Sequence, residues 1–405
     1  MVTKEIPINH NILVWARKEA NLSLSRAAQK AKISEIKKKG SIEPISPSLR
    51  LERWENDNGS PSYAQLVKIA KAYRRPILTF FLPTPPKKEV HLVDYRTLGT
   101  KEAEINTYEP EFSALVRQSE ATQKSIREIL NESEKEPLTF VGSITVESNP
   151  IEVAQNIRKI LGCDLSNLKI RTPSGLFSYI REKSEENGIY VILQGNLGSS
   201  HTNMGPAVFR GFTISDKLAP FIIINPNDTK TANVFTLVHE LCHVWLGDSG
   251  VSNWNSLNIR DPEPTNKNEQ FCDRVAADFL VPKSELLKQW ELLTIGYEVD
   301  VVINRISRKF KVSPIVIARR LFEFSKITSD VYWNWYNAYQ EEWQILKEKQ
   351  KANKKDSPSY GIRIRTKLGK ALINTVIDAA REGKISELDA SLILNVKTNY
   401  FPKIL

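Results

Sequence analysis

Residues 234–247, VFTLVHELCHVWLG, form an apolar run that carries three ionisable side chains, and this segment constrains the fold more than any other. Its apolar residues lie on almost every side of a helix, as in a helix buried in a core. Ionisable groups buried without partners destabilise a folded protein. His239, Glu240 and His243 therefore predict a polar site inside the core of a domain.

The spacing of the two histidines predicts a metal site. Positions i and i+4 lie on one face of a helix, so His239 and His243 can direct two imidazoles at one ion, with Glu240 beside them. This pattern is typical of zinc peptidases, in which the histidines bind the metal and the glutamate accepts a proton from the attacking water. The alternative is a pair of core histidines that are satisfied by hydrogen bonds.

A third ligand is expected further along the chain, because a catalytic zinc usually has three protein ligands. In NEQFCDRVAADFLVP, residues 268–282, Glu269 and Asp273 are again four apart. Glu269 would complete the ligand set, and Asp273 would accept a hydrogen bond from the second ring nitrogen of one ligand histidine. The alternative for Glu269 is a capping box with Asn266.

Two cysteines and a third histidine adjoin these motifs in the sequence. Cys242 lies about 100° round the helix from His243, so we expect it to pack in the core instead of binding metal. Cys272, three residues after Glu269, is expected to do the same. His201 lies in a Gly/Ser-rich loop, and we expect it to be solvated; the alternative is a transition-state donor near the metal.

Positive charge is concentrated at the two ends of the chain. Residues 1–90 contain 17 Lys and Arg against 8 Asp and Glu, and residues 331–405 contain 13 against 8, whereas the middle contains 27 against 31. Basic ends favour an anionic partner, with nucleic acid the leading candidate. The alternative is a basic surface that serves solubility alone.

The composition is that of a soluble, multidomain protein. No apolar stretch has the length of a membrane span and no signal peptide is recognisable, so no membrane partner is expected. Three cysteines in 405 residues predict a reducing, cytoplasmic environment without a disulfide framework.

The N-terminal region has the spacing of short helices at 11–20, 24–31, 46–56 and 62–73, an order typical of a helix-turn-helix unit. The third helix would offer Ser48, Arg50 and Arg53 to a duplex, although two glutamates share it. Residues 34–45 separate the second and third helices by more than a tight turn. They are either a basic arm, in which Lys37, Lys38 and Lys39 touch phosphates, or a disordered insertion.

The remaining pattern predicts an α+β fold. We expect helices at 110–132, 150–161, 173–187, 266–280, 298–307 and 313–325, β-prone runs at 188–193, 207–214 and 219–225, and a helical tail from 330. The predicted domains are an all-helical helix-turn-helix domain at 1–90, a helical linker at 91–150, a metallopeptidase domain with a small sheet at 151–328, and a C-terminal helical region at 329–405.

Four motifs resemble the ImmA/IrrE family of metallopeptidases, in particular its longer members with an N-terminal helix-turn-helix of the XRE type. The motifs are FTLVHELCHVWLG, EQFCDRVAADFLVP, RPILTFFLPTPP and DYR at 94–96. The resemblance implies a gluzincin-like fold with His239, His243 and Glu269 as metal ligands and Glu240 as the catalytic base. The implied metal is Zn²⁺, with Mn²⁺ or another divalent ion as the alternative.

The same resemblance implies the partner. Members of the family cleave a repressor of the XRE class and so derepress genes under stress or in mobile elements. The sequence departs from the family in three places: many relatives have Asn in place of Asp273, residues 34–45 interrupt the helix-turn-helix pattern, and the tail does not resemble the known sensor domain. Residues 383–404 have the pattern of another helix-turn-helix, for which we expect a partner-binding role or a homodimer.

Three functions therefore compete. The first is a site-specific zinc endopeptidase acting on a transcription factor. The second is a DNA-binding regulator or antitoxin-like protein whose metal site is structural or sensory. In the third, residues 1–82 bind protein, by mimicking or pairing with the repressor's own helix-turn-helix.

Overall fold

The computed structural model describes residues 7–20, 22–36, 44–86, 93–94, 102–165, 169–252, 267–350 and 359–396. The chain divides into two compact units. The N-terminal unit contains residues 1–91, 98–118 and 196–208, and the larger unit contains residues 92–97, 119–195 and 209–405.

The helices predicted for the N-terminal region are present. They are α1 (His10–Glu19), α2 (Leu24–Lys30), α3 (Pro47–Glu55) and α4 (Tyr63–Ala72), followed by a 3₁₀ helix, Ile77–Phe81. Serines precede α2, α3 and α4, as expected for N-cap positions. Arg17 of α1 donates to both carboxylate oxygens of Glu55 in α3, at 2.7 and 2.8 Å, and so ties the two helices together.

One small sheet lies in the larger unit. Its strands are β1 (Val93–Asp94), β2 (Tyr190–Leu193), β3 (Gly211–Ile214), β4 (Phe221–Ile224) and β5 (Gly250–Ser252), in the order β1-β5-β3-β4-β2. β3 is antiparallel to both neighbours, whereas β2 pairs in parallel with β4 and β1 with β5. The three predicted β-prone runs contain β2, β3 and β4, but β3 starts later than predicted because residues 206–208 form a turn.

Helices make up most of the described chain, and together with the small sheet they confirm the α+β class. Beyond α4 they are α5 (Glu102–Glu132), α6 (Pro150–Leu161), α7 (Pro173–Glu186), α8 (Lys230–Leu246), α9 (Lys267–Leu280), α10 (Lys283–Leu293), α11 (Val299–Phe310), α12 (Pro314–Glu323), α13 (Ser329–Gln350), α14 (Tyr360–Leu368), α15 (Lys370–Arg381) and α16 (Glu387–Ile393). The prediction that α5 starts at residue 110 was wrong, since the helix continues through Pro110.

Helix α8 is the central element of the larger unit. It packs against β3 and β4 and against α7 and α9, which explains why its sequence is apolar on nearly every side. Thr229 caps its first turn, and Gly247 ends it in the left-handed conformation with φ 72°, which glycine adopts without strain. Near its end, Trp245 stacks on Phe140 with ring centroids 4.4 Å apart.

The C-terminal helices belong to the larger unit and pack on its outermost strand. α14 contacts β2, and α15 contacts α7. The Glu185 carboxylate accepts hydrogen bonds from the backbone N–H groups of Lys370 and Ala371, at 2.8 and 3.2 Å, and so caps α15. Arg181 donates to Glu185, to the carbonyls of Thr366 and Lys367 next to the end of α14, and to the carbonyl of Val191 in β2.

Of the segment with the pattern of a second helix-turn-helix, residues 383–396 are described and contain α16, while residues 397–404 lie outside the described residues. Within the described part of the chain, each helix is too short or too polar to cross a membrane.

Candidate metal centre

Three buried side chains from α8 and α9 converge on one point. His239 and His243 face the same way, and their Nε2 atoms are 3.2 Å apart. The Glu269 carboxylate approaches both, with Oε2 3.3 Å from Nε2 of His239 and Oε1 3.0 Å from Nε2 of His243. At most 6% of any of the three residues is exposed.

The separations and the chemistry of these atoms suit a divalent metal ion. Zinc binds imidazole nitrogen and carboxylate oxygen at roughly 2.0–2.2 Å, so the ligand atoms of a tetrahedral site lie roughly 3.3 Å apart. The observed separations of 3.0–3.3 Å have that size. Among the residues that the structure describes, His239, His243 and Glu269 are the group able to hold a metal ion.

Each of the two histidines has a carboxylate near its other ring nitrogen. Nδ1 of His239 donates to Oδ1 of Asp273 at 3.0 Å. Nδ1 of His243 lies 3.8 Å from Oδ2 of Asp248, and that carboxylate oxygen accepts a hydrogen bond from Asn268 at 3.0 Å. Such carboxylates fix the orientation of a ligand imidazole and make it a better donor to the metal.

Asp248 was missed in the sequence analysis. The signal that could have found it is its position directly after Gly247, since the chain turns back there against the last turn of the helix that carries His243. Asp273 was predicted from its spacing to Glu269, because both residues had to lie on the same face of α9.

Glu240 lies next to His239 in the chain but faces the sheet. It is fully buried, and its Oε2 accepts a hydrogen bond from Oγ1 of Thr213 in β3 at 2.8 Å. A Cβ atom on Gly211 would lie 2.8 Å from Oε1 of Glu240 and 2.8 Å from Cγ2 of Thr236. Glycine is thus required where β3 approaches the glutamate. Nothing in the sequence around Thr213 or Gly211 marks them as part of a site.

The ionisable groups of the centre shift one another's pKa values. Burial opposes charge on His239 and His243, but the facing carboxylates outweigh it, holding the pKa of His239 well above its ordinary value and raising that of His243 to about 10. Burial would raise the pKa of Glu269, yet the two imidazoles lower it to about 2. Burial raises the pKa of Asp273, and His239 offsets this only in part. These shifts favour the protonated form of each imidazole.

We expect zinc binding to release protons and to strengthen with pH. A metal ion binds neutral imidazole, so it must displace the protons that the raised pKa values retain. The apparent affinity should rise from about pH 6 to about pH 9, as the histidines lose their protons more readily. Calorimetry in buffers of different ionisation enthalpy measures the protons released. An affinity that is constant across this range would contradict the expectation.

Removing the acceptor for His239 should weaken metal binding. We expect Asp273→Ala to lower zinc affinity roughly 10- to 100-fold, because the imidazole loses the group that orients it. Asp273→Asn should lower zinc affinity less than Asp273→Ala does, since the amide oxygen of asparagine still accepts the hydrogen bond from His239. Asp248→Ala should also have a smaller effect than Asp273→Ala, because Asp248 is 3.8 Å from His243. Competition with a chelating dye measures the zinc affinity of all three variants. A larger loss of affinity in Asp248→Ala than in Asp273→Ala would contradict the geometry.

The neighbouring cysteines pack in the core, as expected. Cys242 and Cys272 are fully buried between α8 and α9, and all three cysteines of the chain are free. Burial raises the pKa of the Cys272 thiol well above its ordinary value, so this side chain stays protonated and is a poor ligand. His201 is exposed and lies in a short 3₁₀ helix, Ser200–Thr202, of the N-terminal unit. Asn266, the partner in the capping alternative for Glu269, lies outside the described residues.

Arg50, which was expected to face a duplex, is directed into the N-terminal unit. Only 8% of it is exposed, its Nη1 donates to the carbonyl of Ser34 at 2.6 Å, and its guanidinium lies over the Trp54 ring at 5.1 Å. Burial lowers its pKa. A base contact from Arg50 therefore stays a prediction, and the guanidinium is held by the Ser34 carbonyl, two residues before the strand-like pairing of Ile36 with Ile45.

The other residues proposed for DNA contact differ in their accessibility. Arg53 is exposed on α3, with exposed Glu52 beside it, and Ser48 is half-buried. Lys37, Lys38 and Lys39 lie outside the described residues.

Comparison with known proteins agrees with the chemistry of this centre. Residues 197–322 match the family model of the IrrE N-terminal-like domain (Peptidase_M78). The matched stretch contains all of α8 and α9, and with them the three residues able to hold a metal. No curated protein matches the chain. The match supports a metallopeptidase-type domain in this part of the protein.

Proposed function

We propose that the protein is a zinc-dependent, site-specific endopeptidase that cleaves a partner transcriptional repressor of the XRE type. The observation that carries the proposal is the convergence of His239, His243 and Glu269 on one point, with Glu240 next to the first ligand. The match of residues 197–322 to a peptidase family supports it. The motifs that resemble the ImmA/IrrE family support the gluzincin-like fold and the choice of substrate.

The residues divide the chemistry among them. Zinc bound by the two histidines and Glu269 would polarise the peptide carbonyl and lower the pKa of water. Glu240 would accept a proton from the water whose oxygen adds to the carbonyl carbon. It would then deliver that proton to the amine nitrogen as the C–N bond breaks. The Asp273 and Asp248 carboxylates keep the imidazoles oriented throughout.

Cleavage of a repressor would release the genes that it silences, under stress or in mobile elements. Such a substrate is intracellular, so the proposal places the protein in the cytoplasm, in agreement with its three free cysteines. The helix-turn-helix pattern of the N-terminal unit supports a role in meeting the repressor, either on DNA or by direct pairing.

Mapping of new protein N-termini tests the proposal. Cell extract depleted of the protein is incubated with zinc-loaded wild type or with zinc-loaded Glu240→Gln, and the new N-termini are identified by mass spectrometry. We expect a cut in a DNA-binding repressor with wild type alone. Identical sets of N-termini from the two proteins, with zinc bound to wild type, would contradict the endopeptidase proposal. A wild-type-specific cut in a protein of another class would contradict the substrate only.

A second candidate function, DNA binding, is favoured by the surface of the N-terminal unit. Among residues 7–86 that the structure describes, exposed basic side chains outnumber exposed acidic ones, Glu35, Glu52 and Asp57. The basic ones are Lys18, Arg26, Lys30, Lys32, Arg53, Lys68 and Lys71. An excess of this kind attracts phosphates and makes binding depend on salt.

We expect the protein to bind duplex DNA from upstream of its own gene and to lose affinity as salt rises. With two or three phosphate contacts, the loss between about 50 and 200 mM salt is about tenfold or more. Fluorescence anisotropy measures it. Arg53→Ala should weaken binding, whereas its neighbour Glu52→Ala should not. Binding that is absent at low salt, or equal for the two variants, would exclude α3 as the contact helix.

A further inference from the structure

We infer that Thr213 is a positioning residue that holds the Glu240 carboxylate in its working orientation. The inference rests on the proposed function, since it concerns the base of the proposed reaction. It adds a residue from the sheet to a centre whose other members come from α8, α9 and the turn after α8.

The contact is short and buried. Thr213 and Glu240 are both fully buried, and Oγ1 of Thr213 is 2.8 Å from Oε2 of Glu240 and 3.2 Å from its backbone oxygen. The hydroxyl has one hydrogen to donate. The side-chain oxygen is the nearer of the two, so the carboxylate is the preferred acceptor.

The strand makes Thr213 a rigid support. β3 is paired on both sides, and Thr213 lies opposite Ile222 of β4 and Gly250 of β5. A β-branched side chain has few χ1 rotamers, so the hydroxyl of Thr213 has few alternative orientations on a fixed strand.

Gly211 restricts the position of the other carboxylate oxygen of Glu240, Oε1. A Cβ atom there would lie 2.8 Å from Oε1 and 3.0 Å from Cγ of Glu240. The strand backbone thus approaches one oxygen while Thr213 binds the other. Together, Gly211 and Thr213 fix the rotation of the carboxylate about its last bond. A base needs a fixed orientation if it is to accept a proton from water and then deliver it to an amine.

Loss of the hydroxyl should affect the chemical step and leave binding intact. A general base acts only within hydrogen-bond reach of its proton, and small displacements slow the reaction. We expect Thr213→Val, which keeps the shape, to lower kcat about tenfold with KM and zinc content unchanged. Thr213→Ser, which restores the hydroxyl, should recover most of the rate.

The matched control is Ser184→Ala. Ser184 is a fully buried hydroxyl in the same unit, and it donates to the carbonyl of Ile180 at 2.8 Å within α7. This variant should leave kcat unchanged. If Thr213→Val does not fold, Thr213→Ala takes its place in the comparison. Equal kcat in wild type and in the variant without the hydroxyl would overturn the inference.

A spectroscopic measurement tests the contact without any substrate. Infrared difference spectra of zinc-loaded protein labelled with ¹³C-carboxyl glutamate, with Glu240→Gln as the reference, identify the Glu240 carboxylate band. We expect the band to shift in Thr213→Val and to keep its wild-type position in Thr213→Ser and Ser184→Ala. An unshifted band in Thr213→Val overturns the inference. If the band shifts in Thr213→Val but wild type cleaves no protein, the contact between Thr213 and Glu240 is supported and the proposed peptidase function is rejected.

Discussion

Glu240→Gln is expected to abolish peptide cleavage while zinc remains bound. Glutamine has nearly the shape of glutamate but cannot accept a proton from water, and general-base catalysis contributes roughly 10²- to 10⁴-fold to rate. The surroundings of the side chain should persist, because the amide oxygen can still accept the hydrogen bond from Thr213. The amide nitrogen then takes the place of Oε1 beside Gly211, where glutamate already fits.

Cleavage of the repressor found by N-terminal mapping, followed by gel and mass spectrometry, measures the effect. Elemental analysis of the same preparations verifies that wild type and variant hold equal zinc. Since Glu240 is not one of the three converging residues that could hold the metal, its replacement separates catalysis from metal binding. Cleavage by the zinc-loaded variant at a rate near that of wild type would rule out Glu240 as the base.

Glu269→Ala is expected to remove the metal. Wild type purified without added metal should contain about one zinc per chain, the amount expected for a site with three protein ligands. The variant keeps two histidines from one helix and should contain little or none. Because α9 then supplies no ligand, zinc would also cease to link α9 to α8.

Thermal unfolding gives a second measurement of the same change. A ligand that binds only the folded state stabilises it, by about 4 kcal/mol at a free concentration of 1,000 Kd. Added zinc should therefore raise the Tm of wild type and of Glu240→Gln, but not that of Glu269→Ala. Wild type that holds no zinc even when zinc is supplied would favour the other interpretation of the histidines, as core residues satisfied by hydrogen bonds.

The residues that the sequence could predict are those whose relation depends on helix periodicity alone. His239 with His243, and Glu269 with Asp273, are four apart within one helix, so the spacing itself predicts a shared face. That α9 presents Glu269 to the two histidines was a hypothesis from the ligand count of zinc sites. The structure brings the three side chains together.

Residues that meet through tertiary structure could not be predicted in this way. Thr213 reaches Glu240 because β3 pairs between β4 and β5, a register that no local pattern of four residues specifies. β5, with three residues, is too short to show alternation. Arg50 occupies a position that looks solvent-facing on an isolated α3, but its guanidinium binds the carbonyl of Ser34, which is distant in sequence. In each case the missing information is a contact between segments distant in sequence.

The side chain of Arg181 contacts the outer strand of the sheet, β2. β2 pairs with β4 on one side only, and a bare outer strand offers its backbone to other chains. Here the side chain of Arg181 is only 11% exposed, and its guanidinium binds the Val191 carbonyl of that strand and two carbonyls in the last turn of α14. One cation thus joins the outer strand to the C-terminal helices. The tail is for this reason an integral part of the larger unit, and a chain cut before α14 would deprive Arg181 of two of its acceptors beside an open strand.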